Sequence, residues 1–109
     1  MYQLTRDIGD SANPVTNMYP SAFTGIFFGN NHTIYVNIRS TLGYTGVFSE
    51  LLDANIFDLI IDGSIINTFP MGLVGGVAGY AHASKITNCI NYANITGEGM
   101  RSFVGGIVG

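Results

Sequence analysis

The sequence predicts an all-β fold, a parallel β-solenoid with coils of about 30 residues. Three observations predict it. First, the blocks Gly46-Val47-Phe48-Ser49, Gly76-Val77-Ala78-Gly79 and Gly106-Ile107-Val108-Gly109 recur at a spacing of 30 (76 − 46 and 106 − 76). At the same offset Ile56 falls over Ile86, Leu59 over Cys89, Ile65 over Ile95 and Asp58 over Asn88, with no gap. Second, the stretches between blocks, "NIFDLIIDGSI" and "KITNCINYANI", are rich in β-branched and aromatic residues and free of proline. No long apolar stripe of helical period competes with that pattern. Third, a unit of two or three short strands cannot bury its apolar side alone, and stacking copies in parallel solves the problem.

The elements follow in order. Residues 1–45 read as a lead-in and first coil, 46–75 and 76–105 as two repeats, and 106–109 as the start of a further one, all in a single segment. In "FTGIFFGNNHTIYVNI" (23–38), Gly29-Asn30-Asn31 reads as a tight turn, followed by alternating Ile34, Val36 and Ile38. The spacing of Ile56, Leu59 and Ile61 breaks alternation and predicts a bend near Asp58 and Asn88, with both ends facing inward. The expected ladders are Ile34–Ile56–Ile86, Leu59–Cys89 and Ile65–Ile95. Gly46, Gly76, Gly79 and Gly106 are expected to serve corners or close backbone approach. In "LVGGVAGY" either Val77 or Ala78 can point inward, and a strand apolar on both faces predicts a cover, such as the N-terminal segment or another chain. The final strand "FVGGIVG" is expected to leave the stack truncated at that end, its edge open to further repeats or another copy. Right-handed winding is the commoner hand and the one expected.

Composition narrows the function classes. Hydrophobic residues make up 47% of the chain and charged ones only 10%, the reverse of a disordered composition. Arg6, Arg39, Lys85 and Arg101 are scattered and the net charge is -3, which argues against nucleic acid. Apolar stretches are broken well short of the roughly 18 to 20 residues that span a bilayer. The start, "MYQLTRDIGD", shows no signal peptide, so an export signal would lie outside this chain. Cys89 is the only cysteine, which rules out an internal disulfide and a thiolate metal site; it reads as a small hydrophobe.

With these residues in view, the chain resembles the GLUG-motif repeat family of bacterial surface and secreted proteins. The resemblance rests on the lead-in "YQLTRDI", the F-x-G-x-F-x-G-N-x-H-T-I run from Phe23 to Ile34, the G-apolar-apolar-G blocks and "KITNCINYANITG". It covers nearly the whole chain. Departures from the pattern are Asn31 and Ala93 where glycine is usual, Ser49 in place of a closing glycine, and no extra bend residue after Ile34. The resemblance implies a β-solenoid at the cell surface or outside the cell, with adhesion or scaffolding as its role and no catalytic residues to transfer.

The residues suited to chemistry are few. His32 beside Asn30-Asn31 and Thr33 reads as a turn residue, since no oriented partner is identifiable in the sequence. His82 reads as a loop residue, and the pair has no metal-ligand spacing. Asp58 and Asp62 on one regular strand would have Cα atoms roughly 13 Å apart, too far for a glycosidase pair. Asp7 and Asp10 alone fall short of a calcium site. "GLVGGVAG" matches neither a dinucleotide loop nor a P-loop, and no cofactor is expected. Asn88, Asn91 and Asn94 are placed as bend residues that satisfy backbone groups. Tyr35, Tyr44, Tyr80 and Tyr92 can form a sugar-stacking face or line the edge of the core.

The expected function is a non-catalytic repeat module of an extracellular bacterial surface protein, in adhesion or scaffolding. Its partners would be glycans or host and cell-surface components, with no membrane span. The alternative is a carbohydrate-binding or carbohydrate-active solenoid, or an accessory segment of a secreted hydrolase or peptidase.

Overall fold

The computed structural model describes residues 2–99 and 102–109, so Arg101, one of the four basic residues, lies outside the described set. Among the described residues every regular element is a strand. The lead-in carries β1 (Tyr2–Gln3) and β2 (Tyr19–Phe23). The next coil carries β3 (Ile26–Phe28), β4 (Thr33–Ser40), β5 (Tyr44–Thr45) and β6 (Phe48–Leu52). The third carries β7 (Asn55–Phe57), β8 (Ile60–Asn67), β9 (Leu73–Val74) and β10 (Ala78–His82). The last carries β11 (Lys85–Thr87), β12 (Ile90–Asn91), β13 (Asn94–Gly97) and β14 (Phe103–Val104).

Equivalent strands of successive coils pair in parallel and make four sheets. The first is β1-β3-β7-β11, and the third is β5-β9-β14. The fourth is β2-β6-β10. In the second sheet β8 holds β4 on one side and both β12 and β13 on the other. The result is a β-solenoid of about three turns with coils of about 29 residues, as the repeat predicted. Between the last two coils the offset is 30 in every sheet: Lys85 beside Asn55, Ile95 beside Ile65, Phe103 beside Leu73 and Val108 beside Ala78.

The predicted bend is present. Asp58 and Asn88 both adopt left-handed backbone, with φ of 54° each, at the corner between the first and second sheets. Asp and Asn tolerate that region better than branched residues because their short polar side chains bond locally. Ile56 and Leu59, on the two sides of the bend, are fully buried. The earlier coil turns the same corner differently. Asn30 and Asn31 both have positive φ, 54° and 61°, and the His32 N–H donates to the Gly29 carbonyl at 3.0 Å.

That turn corrects one ladder. Four residues separate β3 from β4, whereas two separate β7 from β8. The register therefore changes within the coil, and Ile34 lies beside Ile61 rather than Ile56. The ladder through Ile56 is Phe27–Ile56–Ile86. The expected ladder set Ile34, which belongs to the second sheet, over Ile56 of the first.

Burial follows position in the stack. Ile56, Leu59, Ile61, Ile65, Val74 and Val77 of the third coil are fully buried, because coils cover them on both sides. One coil later Ile86, Cys89, Ile95 and Ile107 are only partly buried, and Val104 is 51% exposed. At the other end the lead-in closes the stack with aromatic rings. Phe23 packs on Phe48 with centroids 5.0 Å apart, and Tyr2 and Tyr19 lean on Phe23. Pro20 sits in β2 at a sheet edge, where its missing N–H costs no ladder bond.

The glycine blocks stack on one another. Val47 and Phe48 donate backbone bonds to Gly76 and Val77, which donate in turn to Gly106 and Ile107. Val77 and Ala78 are both fully buried. Their cover is these neighbouring blocks; the N-terminal segment lies against the earlier block, with Tyr19 N–H donating to Val47. Close approach explains the glycines: a Cβ on Gly46 would meet the Ala78 backbone at 2.8 Å, and one on Gly76 the Gly106 carbonyl at 2.6 Å. A Cβ on Gly106 would meet nothing within 4 Å.

The buried corner amide is Asn67. It sits where β8 leaves the second sheet and is fully buried, whereas Asn88 and Asn94 are exposed and Asn91 is half-buried. Asn91 follows the expected bend role, bonding both the N–H and the carbonyl of Ala93. Among the described residues no helix is long and apolar enough to cross a membrane.

Candidate functional site

The outer face of the second sheet gathers polar and aromatic side chains. It arises from alternation. Ile34, Val36 and Ile38 of β4 are buried, so Tyr35, Asn37 and Arg39 point outward. In β8 the same period buries Ile61 and Ile65 and turns Asp62 and Ser64 outward. The parallel register then sets Tyr35 beside Asp62, and Asn37 beside Ser64 and, one coil further, Asn94. Tyr92, 67% exposed, follows on the far side of Asp62; its N–H donates to the Ile61 carbonyl.

A loop of the lead-in walls one side of this face. Val15 bridges to Val36, its N–H donating to Tyr35 at 2.7 Å and its carbonyl accepting from Asn37 at 2.8 Å. Asp10 Oδ1 accepts from the backbone N–H of Ala12 and Asn13 at 2.9 and 2.8 Å, which fixes the loop in a local turn. Between loop and sheet runs an open groove of about 330 Å³, lined by Asp10, Ser11, Tyr35, Asn37, Asp62 and Ser64. Gly63 shapes its floor. Its φ is +112°, and a Cβ there would collide with the Val36 carbonyl. Asp62 Oδ1 accepts from the Gly63 N–H at 2.8 Å, which orients the carboxylate.

The four candidate tyrosines split into two groups. Tyr44 and Tyr80 stack across the third and fourth sheets, with centroids 5.3 Å apart and planes 18° from parallel. Tyr35 pairs with Asp62 in the second sheet, and Tyr92 lies one coil further, in the break between β12 and β13, its N–H donating to the Ile61 carbonyl. Asp58 stands at the bend and does not line the groove with Asp62.

His32 does have a partner. Its Nδ1 lies 3.3 Å from Asp7 Oδ1, which also accepts the Thr33 N–H at 2.8 Å. Both groups are substantially exposed, and the contact ties the lead-in to β4. A separation of 25 residues hides this pair in the sequence. Asp7 holds the start of β4, whereas Asp10 caps its own local turn. Among the described residues no three His, Cys, Asp or Glu side chains gather in a metal-binding group. Arg39 reaches across the second sheet to Glu98 at 3.2 Å, an exposed pair worth about 1 kcal/mol or less. Burial pushes the Cys89 thiol above its ordinary pKa, and the charge of Asp58 adds to the effect. That keeps it protonated at neutral pH and unlike an activated nucleophile.

The groove combines residues 25 or more positions apart, Asp10 with Tyr35 and Asp62. Outward alternation at Tyr35 and Asn37 was a usable signal for the sheet face. Nothing local placed Asp10 beside it.

Compared with known proteins, the chain matches no family model, no curated protein and no solved structure.

Proposed function

We propose that this chain is a non-catalytic repeat module of an extracellular bacterial surface protein, acting in adhesion or as a scaffold. The observation that carries the reading is the second sheet's outer face, where stacked coils set polar and aromatic side chains in register around an open groove. Strands that pair through backbone bonds form a stiff platform, so side chains on it are positioned before any ligand arrives. The GLUG-like blocks support the same reading, since they supply the contacts by which one coil carries the next. A carbohydrate-cleaving role has less support, because Asp58 and Asp62 do not face a common groove.

Two measurements test the reading. Antibodies to the chain should label intact source cells, and beads coated with the folded chain should adhere to glycan-bearing surfaces more than beads carrying denatured chain. Labelling only after lysis, or equal retention of both bead types, would overturn it.

A further inference from the structure

We propose that the groove on the second sheet binds a neutral oligosaccharide, seated along Tyr35 and Asp62 of its lining and extending over the exposed Tyr92 outside it; the proposal rests on the adhesion reading above. The wall and floor of the site are already built. The Asp10 turn and the Val15–Val36 bridge hold the loop, and Gly63 lets β8 pass close over β4.

The lining suits a sugar chemically. Tyrosine rings offer flat apolar faces for the C–H side of a pyranose, with a hydroxyl at the rim. Among the described residues, the side chains of Asn37, Ser64 and Ser11 make no hydrogen bond, and Asp62 uses only Oδ1, toward Gly63. Together they present donors and acceptors at several angles, as a ring of hydroxyl groups requires.

Charge selects among sugars. Asp10 and Asp62 both line the groove, and among the described residues no lysine, arginine or histidine does so. Sulfated, sialylated or uronate-rich chains would meet two carboxylates with no compensating cation. Two carboxylates supply at most four oxygens, two of which already accept backbone N–H groups, against the six to eight that calcium takes.

Span selects for length. Tyr35 pairs with Asp62, and Tyr92 follows the Asn91–Ile61 pair one coil further with its N–H on Ile61, so the Tyr35 and Tyr92 Cα atoms are about 9 to 10 Å apart, two strand spacings. One sugar ring does not reach both tyrosines, whereas two or more linked rings do.

Titration calorimetry of the full chain tests the assignment. The probes are neutral tetrasaccharides of glucose, mannose and galactose, tetrasaccharides of polygalacturonate and heparin, and calcium chloride alone. At least one neutral probe should bind, with the acidic ones at least about tenfold weaker. Tyr92→Ala and Asp62→Asn should each weaken binding by roughly tenfold, while Tyr44→Ala, on other sheets, leaves it unchanged. Circular dichroism of each variant checks the fold. Binding of acidic probes with equal affinity, saturation by calcium alone, no neutral binding, or an unaffected Tyr92→Ala variant would overturn the proposal. The bead assay separates the two readings: adhesion by wild type and by both groove variants alike removes the groove and keeps adhesion. A wild type that binds a neutral probe but does not adhere keeps the groove and removes adhesion.

Discussion

Inside the stack the Asn67 amide donates to the Thr45 hydroxyl at 2.7 Å, and both side chains are fully buried. The same amide donates to the Leu42 carbonyl at 2.6 Å, and its oxygen accepts the Phe69 N–H at 3.0 Å. One side chain thus holds the corner after β8 and the end of β5 in the coil beneath. Gly72 leaves room for it, since a Cβ there would overlap the amide. Asn67→Leu keeps the volume but strands these buried groups. It should cost about 2 to 4 kcal/mol, given about 1 to 3 for each buried group left unpaired. Urea unfolding measures this, and a cycle with Thr45→Val should show a coupling above about 0.5 kcal/mol.

The repeat glycines should differ in tolerance although the sequence writes them alike. Gly76→Ala forces a Cβ onto the Gly106 carbonyl and should destabilise by about 1 to 3 kcal/mol. Gly106→Ala meets open space and should stay within about 0.5 kcal/mol of wild type. Unfolding midpoints of the two variants check the contrast, and equal losses would contradict it.

Equivalent core positions should also differ by coil. Ile56 is fully buried between Phe27 and Ile86, whereas Ile86 is only partly buried. Ile56→Ala should cost about 2 to 5 kcal/mol. Ile86→Ala should cost roughly half as much, in proportion to the apolar area it removes from contact. Denaturant unfolding of both variants tests the ranking.

Cys89 should react slowly with iodoacetamide near neutral pH, because burial, aided by the Asp58 charge, raises its pKa. The rate should rise with pH along a curve displaced upward from that of a free thiol, and Asp58→Asn should move it part of the way back. The stability consequence has a definite sign. Folded Cys89 keeps its proton at pH values where the unfolded thiol has lost it, so unfolding free energy falls as pH rises above about 8.5 and through the folded pKa. Below that range the stabilisation is complete. Comparing wild type with Cys89→Ser isolates this slope from other titrating groups.

Much of the fold was legible because stacking turns sequence periodicity into spatial neighbours. Ile56 with Ile86, Ile65 with Ile95 and the left-handed pair Asp58 and Asn88 all follow from one offset. The ladder expected through Ile34 failed because the Asn30-Asn31 turn holds two additional residues, which changes the register from 29 before it (Phe27 beside Ile56) to 27 after it (Ile34 beside Ile61). The candidate site was less legible. Tyr35, Asp62 and Tyr92 were each visible as outward or stacked positions, but the lead-in pairs at its own register, Ile8 with Ile34 and Val15 with Val36. That irregular pairing brings Asp10 to the groove and Asp7 to His32.

The sequence by itself determined the repeat, its parallel stacking and the side chains that face inward, because burial of apolar ladders admits few other arrangements. The tertiary structure decided what the repeat cannot encode. It split the tyrosines between separate sheets, put the buried amide at Asn67, and folded the non-repeating lead-in over one edge of the second sheet. Each depends on a turn or a coil length found once in the chain, and a period carries no information about a feature that does not recur.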